Sequence, residues 1–417
     1  VREGSGGACR KARSGELGGG MRGWEQRGNA RRWWEMAMCG WVRSFSGAKQ
    51  RLGDMGFNAG GGVINWFPGH MAAATRAIRE RLKLADLVIE VRDARIPLSS
   101  ANMDLQSSLS GKRRLIALNK KDLANPNIMH RWIRYFEMAK QDSLSINAHS
   151  RSSVKDLLTL VELKLREVIS REPTLLVMVV GVPNVGKSAL INSIHQIATS
   201  RFPVQEKMKR ATVGPLPGVT QDIAGYKIAS QPSIYVLDTP GVLVPSIPDI
   251  ETGLKLALTG AVKDSVVGEE RLAKYLLSVL NNRRTPLHWK NMDNKQRSRP
   301  PSNSLARNKN VFNDSIPRRR RRLDDSDVCY VEDLVKEVQR TLYTTFSSFE
   351  GNIMEESELE LLIDGQLTAL QESFKISTKS VEEARTMVAK KLITLFRTGK
   401  LGPFILDDVP DACGHIS

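Results

Sequence analysis

One strand–loop–helix stretch limits this chain's fold more than any other feature. Leu175 to Val180 is apolar and rich in β-branched residues, Gly181-Val-Pro-Asn-Val-Gly186-Lys187-Ser188 follows, and a helical run begins at Ala189. The pattern G-x-x-x-x-G-K-[ST] between a strand and a helix is a phosphate-binding loop. Its glycines let backbone N–H groups turn inward around phosphate oxygens, and the helix N-terminus adds partial positive charge. Lys187 is expected to reach the β- and γ-phosphates and the Ser188 hydroxyl to sit on Mg²⁺. Asn184, Val185, Gly186 and Ala189 complete the expected nucleotide-binding set here.

With 417 residues the chain has room for about two or three domains. No apolar run approaches the ~18 residues of a membrane-spanning helix. The net charge of +17 sits in two stretches: residues 1–60 carry a net +6 and residues 281–322 a net +11. The remaining body is close to neutral, so the basic segments read as appendages. Such segments attract polyanions, either RNA or an anionic membrane surface, which leaves peripheral membrane association open. Cys9, Cys39, Cys329 and Cys413 form no C-x-x-C pair and have no histidine at metal spacing, which argues for a reducing compartment and against structural zinc.

Residues 1–60 are Gly- and Arg-rich with little hydrophobic periodicity and read as a disordered or processed extension. The stretch from Met21 to Ser46 is Arg-bearing and aromatic and resembles an organelle transit peptide, mitochondrial by preference, chloroplast as the alternative. Trp66-Phe67-Pro68-Gly69-His70-Met71 then precedes a helical stretch, Ala72 to Ala85, bearing Arg76, Arg79, Arg81 and Lys83. Leu87 to Val91 is a buried-strand run that leads into Asp93-Ala94-Arg95, and Pro97 bars a central strand from continuing.

A second strand, Leu115 to Leu118, runs directly into Asn119-Lys120-Lys121-Asp122. N-K-x-D after a strand is a guanine-reading motif. The Asp122 carboxylate can accept two hydrogen bonds from the guanine N1–H and N2–H₂ edge, which adenine cannot offer. Asn119 is expected on the O6/N7 side and the Lys120 stem along the base. A buried carboxylate left unpaired by the wrong base is costly, and that supplies the discrimination. Ser145-Ile146-Asn147-Ala148 looks like the loop whose backbone N–H caps the guanine O6. Helices are expected over Asn127–Lys140 and Val154–Ser170.

Past the phosphate loop, residues 201–225 have the composition of a mobile loop. Thr220, in Pro217-Gly218-Val219-Thr220, is the natural switch threonine, with its hydroxyl on Mg²⁺ and its N–H on the γ-phosphate. Ile234 to Leu237 is a strand ending in Asp238-Thr239-Pro240-Gly241. Asp238 is expected to hold Mg²⁺ through water, and the Gly241 N–H to meet the γ-phosphate, so the loop reports hydrolysis. Residues 250–280 and 328–398 have helical periodicity around a low-complexity basic insert. The expected organisation is an extension (1–60), an α/β nucleotide-binding domain (61–250) and a helical domain (251–417) interrupted at 281–326.

N-K-x-D and S-x-N-A precede the phosphate loop here, and the switch threonine and D-T-P-G follow it. All parts are present in rotated order, which a parallel sheet tolerates because its termini can be rejoined across the surface. The second switch then runs into the helical region. The set formed by Trp66–Met71, Asp93-Ala94-Arg95, N-K-x-D, G-V-P-N-V-G-K-S, P-G-V-T and D-T-P-G resembles the YlqF/RbgA family of circularly permuted GTPases. Within it the likeness is to mitochondrial ribosome-associated (DAR-type) GTPases, strong over about 65–280 and looser through the Phe396-Arg397-x-Gly399-x-Leu401-Gly402 ending. The resemblance implies an α/β fold, a permuted P-loop GTPase domain of mainly parallel sheet with helices on both faces, followed by an α-helical domain. It also implies a GTP-binding, GTP-hydrolysing assembly factor for the large ribosomal subunit, a monomer with GTP or GDP, the subunit and its rRNA as partners, residing in the mitochondrial matrix or at the inner membrane. The alternatives are the same role in chloroplasts, or a GTP-dependent RNA-binding or signalling switch unconnected to ribosome assembly.

Hydrolysis needs water in line with the γ-phosphate. The place after D-T-P-G is Val242, whose aliphatic side chain cannot orient water, so His70 becomes the catalytic candidate beside Lys187, Thr220 and Gly241. The resemblance points to the same histidine; a helix-capping role is the bland reading. Asn184 stands where potassium-dependent GTPases carry asparagine, so a bound K⁺ could supply positive charge; a turn-forming Asn is the alternative.

Overall fold

The computed structural model describes residues 51–59, 62, 64, 66–169, 174–201, 224–230, 233–244, 247, 249–290, 325–377 and 380–410. Six strands form one sheet: β1 (Leu87–Asp93), β2 (Arg113–Asn119), β3 (Ser143–Ser145), β4 (Thr174–Val180), β5 (Ala224–Ser230) and β6 (Ser233–Asp238). Their order is β3-β2-β1-β4-β6-β5, parallel throughout except for the antiparallel edge strand β5. Every residue of β1 is buried, as expected of a parallel strand covered on both faces, including the charged Glu90, Arg92 and Asp93.

Between and after the strands lie α1 (Gly69–Leu82), α2 (Met103–Leu109), α3 (Pro126–Met138), α4 (Arg151–Ile169) and α5 (Lys187–Arg201). The alternation of β2 shows that both faces are covered. Ile116 and Leu118 pack with Met129, Trp132 and Phe136 of α3. Leu115 and Ala117 belong to the larger core with Ile78 of α1, Leu157 of α4 and Ile191 of α5. Local chemistry starts α3 cleanly: Asn125 accepts from the N–H groups of Asn127 and Ile128, and Pro126 takes the first turn, where a missing N–H costs nothing.

Chain order explains where a ligand can bind. From β1 the chain steps outward to β2 and β3, then crosses to the other side of β1 for β4, β6 and β5. The direction reverses between β1 and β4, and in open α/β sheets the crevice beyond the carboxyl ends of such a pair receives ligands. The phosphate loop leaves β4 there, and Asp93-Ala94-Arg95 leaves β1 there.

The second half is helical: α6 (Ile250–Leu258), α7 (Glu269–Asn282), α8 (Asp325–Ser347), α9 (Glu356–Ser373) and α10 (Val381–Arg397). Helix α7 packs against α6, α9 and α10, with a fully buried reciprocal amide pair, Asn281–Gln366, at 2.8 and 2.9 Å. The residues after α10 return to the sheet. The Phe404 N–H donates to the Leu123 carbonyl at 3.0 Å and the Leu406 N–H to that of Arg95 at 2.7 Å. Asp407 accepts from the backbone of Leu98 and Ser99, both at 2.9 Å, and from the Ser99 hydroxyl at 2.6 Å.

The structure departs from expectation at two segment ends. Residues 51–59, assigned to the extension, form a 3₁₀ turn and a helical turn in which Met55 and Asn58 are buried. Arg271 holds them by donating to the Asn58 carbonyl; three apolar residues in a Gly-rich context gave too little periodicity to read. Residues 281–290, assigned to the basic insert, instead end α7 and form a 3₁₀ turn that buries Trp289. The insert's remainder to residue 324, Thr220 and most of the 201–225 loop, and residues 1–50 lie outside the described residues.

Candidate nucleotide site

The phosphate loop needs glycine at both ends for different reasons. Gly181 has φ +150° and lies so close to the Val91 carbonyl that no Cβ fits, while Gly186 has φ +96° with the Asn119 amide where a Cβ would stand. Lys187 opens α5 and is 6% exposed; its ammonium donates to the Val182 carbonyl of its own loop at 2.9 Å. Burial pushes that ammonium down to about 8, against the pull of the Asp238 charge. Across from it, burial pushes the Asp238 carboxyl up to about 6, while Lys187, the Thr239 N–H and the Ser188 hydroxyl each hold it lower. The Ser188 hydroxyl stands 3.5 Å from Asp238 Oδ2. Asp238 Oδ1 is buried with no hydrogen-bond partner among the described residues. A buried carboxylate oxygen in want of a partner beside a hydroxyl is an all-oxygen donor set suited to a hard divalent cation such as Mg²⁺.

The guanine side is organised by Asn119, 3% exposed at the end of β2. Its amide nitrogen donates to the Val185 carbonyl at 2.8 Å, and its amide oxygen accepts from the Ala148 N–H at 2.9 Å. Its amide thereby joins the N-K-x-D turn, the phosphate loop and the Ala148 loop. Lys120 adopts a left-handed conformation, φ 65°, and its ammonium is held by Asp93 at 2.9 Å. Asp93 is also gripped by the Arg95 guanidinium, whose Nε and Nη2 donate at 2.9 and 2.8 Å. Burial alone would raise the Asp93 carboxyl, but the charges of Arg95 and Lys120 overcome it and hold the group well below the carboxylate range. Asp122 is exposed in the 3₁₀ turn Lys121–Leu123. Ser145 ends β3; Asn147 accepts from the His149 N–H and receives Ser153 as acceptor for its own N–H.

The D-T-P-G segment lies directly on the phosphate loop. A Cβ at Gly241 would stand 2.6 Å from Pro183 Cα and 3.0 Å from Lys187 Nζ, so the approach requires glycine. Val242 is fully buried, which fits its exclusion as a water-orienting residue. Its carbonyl accepts from the Asn102 amide at 2.8 Å, and Asn102 also caps α2 by accepting from the N–H groups of Asp104 and Leu105. His70 stands exposed in the first turn of α1, with no hydrogen bond to the phosphate loop among the described residues. Asn184 is left-handed, φ 58°, and its amide donates to the Gly260 carbonyl at 2.8 Å, the geometry of a turn former that also tethers.

Sequence reasoning missed Asn102, Gly260 and Arg397. Gly260, φ +88°, ends α6. Arg397 donates to the Ala257 and Leu258 carbonyls at 2.7 and 2.9 Å and pairs with both oxygens of Asp264. Only Asn102 had a local signal, an N-x-D capping pattern ahead of a short apolar helix.

A family model described as 50S ribosome-binding GTPase matches residues 176–308, beginning within β4. Short integuments 2, mitochondrial, of Arabidopsis thaliana is 67% identical over 363 residues, spanning 87% of this chain and 94% of its own length. DAR GTPase 2, mitochondrial, of the same plant is 40% identical, spanning 82% of this chain and 90% of its own length. Ribosome biogenesis GTPase A of Bacillus cereus is 40% identical over 52% of this chain and 71% of its own. Among solved structures, GNP-bound YlqF from T. maritima aligns over 50% of this chain and 75% of its own at 25% identity, with a TM-score of 0.37.

Proposed function

The chain belongs to the YlqF/RbgA family of circularly permuted GTPases, and on that premise we propose that it assembles the large subunit of mitochondrial ribosomes. One observation carries the reading: Asn119 joins the base-reading turn, the phosphate loop and the Ala148 loop into a single site, although the chain visits them in rotated order. In this reading Asp122 selects guanine, with Lys120, Ser145, Asn147 and Ala148 framing the base. Lys187, Val185, Gly186 and Ala189 take the phosphates. Ser188, Thr220 and Asp238 hold Mg²⁺, which neutralises phosphate charge, and the N–H groups of Thr220 and Gly241 sense the γ-phosphate. His70 orients the attacking water once the subunit is bound, and Asn184 can add a K⁺.

The matching family model is described as 50S ribosome-binding GTPase, Ribosome biogenesis GTPase A is named for ribosome biogenesis, and the two plant relatives are named mitochondrial, which supports a mitochondrial address. No described helix is long and apolar enough to cross a membrane. The test is co-sedimentation of a monomeric preparation with mitochondrial large subunits in GDP and in a non-hydrolysable GTP analogue. Binding that requires the analogue is expected; nucleotide-independent binding or none defeats the proposal. In the same assay His70→Ala should retain GTP affinity and lose most of the subunit-stimulated turnover, and unchanged turnover removes His70 from the mechanism.

A further inference from the structure

Helix α1 divides its residues sharply. Met71, Ile78 and Leu82 are buried to 0–1% exposure against the core. Arg76, Arg79, Arg81 and the capping residue Lys83 are exposed, with Glu80 as the single acid among them. Arg76, Arg79 and Lys83 follow i, i+3, i+7 spacing and share a face. Only Arg79 of the four has a side-chain partner among the described residues, Asp104 at 2.7 Å, and its side chain is still 44% exposed. At the far end Lys112 closes α1 by donating to the Lys83 and Ala85 carbonyls at 2.7 and 3.1 Å, which brings a further cation to the edge.

We propose that this face of α1 is a docking surface for the phosphate backbone of RNA, a reading that rests on the ribosomal role proposed above. Two of the three cations on that face, Arg76 and Arg79, are arginine, whose planar fork matches phosphate oxygens bidentately. A membrane surface fits less well: an interfacial helix binds by sinking an apolar face between headgroups, and the apolar face of α1 is already inside the core. The charge is also carried by α1 itself, at sequence positions outside the basic stretches 1–50 and 291–324.

The test uses the full chain and the double variant R76Q/K83Q, after their thermal midpoints have been matched to verify folding. Affinity for mitochondrial large subunits and for a generic double-stranded RNA hairpin is measured against KCl concentration. Loss of two phosphate contacts should flatten the slope of log affinity against log salt by about 1–2. An unchanged slope on both probes overturns the docking surface. If the wild type binds the hairpin with the steeper slope yet ignores the subunits, the ribosomal role fails and the RNA face stands. Vesicles containing phosphatidylserine form the third arm; a variant that loses vesicle binding while keeping both RNA slopes also overturns the proposal.

Discussion

Asp238 concentrates the electrostatic tension of the site in one carboxyl group. Its folded value of about 6 lies above the ordinary 3.8 because burial disfavours its charge. Between those two pH values the folded protein holds the proton more tightly than the unfolded chain. Stability of the nucleotide-free protein therefore falls as pH rises from about 4 to about 6 and is flat above that, as far as this group decides it. Divalent-cation binding needs the carboxylate and runs the other way, strengthening over the same window. With bound fluorescent GTP analogue as readout, the Mg²⁺ affinity of the wild type should fall about tenfold from pH 7 to pH 5, since one unit below its pKa about a tenth of the group is ionised. The nucleotide's own titration is shared by Asp238→Asn, so the ratio of the two proteins isolates this carboxyl. A ratio constant with pH would mean that Asp238 does not meet the cation.

Helix α2 is seven residues long and matters through its first turn. Asn102 accepts two N–H groups there and donates to the carbonyl after Gly241, while Asp104 in the same turn pairs with Arg79 of α1. The helix thus joins the arginine face to the D-T-P-G segment, the one proposed to sense the γ-phosphate. Removing Asn102 deletes a cap, worth about 1 kcal/mol, and leaves the buried Val242 carbonyl unpaired, about 1–3 kcal/mol. Asn102→Ala should therefore lower unfolding stability by roughly 2–4 kcal/mol. Asn102→Ser restores the cap but is too short to reach Val242. It should recover about 1 kcal/mol of stability yet keep a reduced kcat with little change in GTP affinity. Wild-type kcat in the serine variant would sink the positioning role. Elements of this kind set the limit of what was legible. Strands β1, β2, β4 and β6 were readable from the apolar runs within them, Leu115 to Leu118, Leu175 to Val180, Ile234 to Leu237 and, broken only by Glu90, Leu87 to Val91. The motifs were readable because phosphate and guanine chemistry needs residues close in sequence. Asn119 was found, but its tie to Val185 and Ala148 was not, because they lie in other segments that sequence spacing does not relate to it.

At the scale of the whole molecule, the permutation places the helical half directly after the second switch, and the structure adds a shorter connection. Asn184 of the phosphate loop donates to the Gly260 carbonyl, and Arg397 binds the two carbonyls just before Gly260 while pairing with Asp264. Phosphate loop, α6 end and α10 end therefore meet at one glycine. None of this was legible: Arg397 belonged to a terminal pattern whose partners lie more than a hundred residues upstream. If the junction transmits nucleotide state, its two arms must be energetically coupled. Asn184→Gly keeps the left-handed backbone and removes the amide; Arg397→Met keeps the packing and removes the donors. Arg397→Met alone should cost roughly 2–3 kcal/mol of stability, since charge-assisted hydrogen bonds are the strong class, and each change should weaken GTP binding. In the double variant the two losses of GTP affinity should fall short of their sum by about 0.5–3 kcal/mol, as for residues sharing a partner. Full additivity in that cycle would separate the phosphate loop from the helical half and leave the second switch as the route between them.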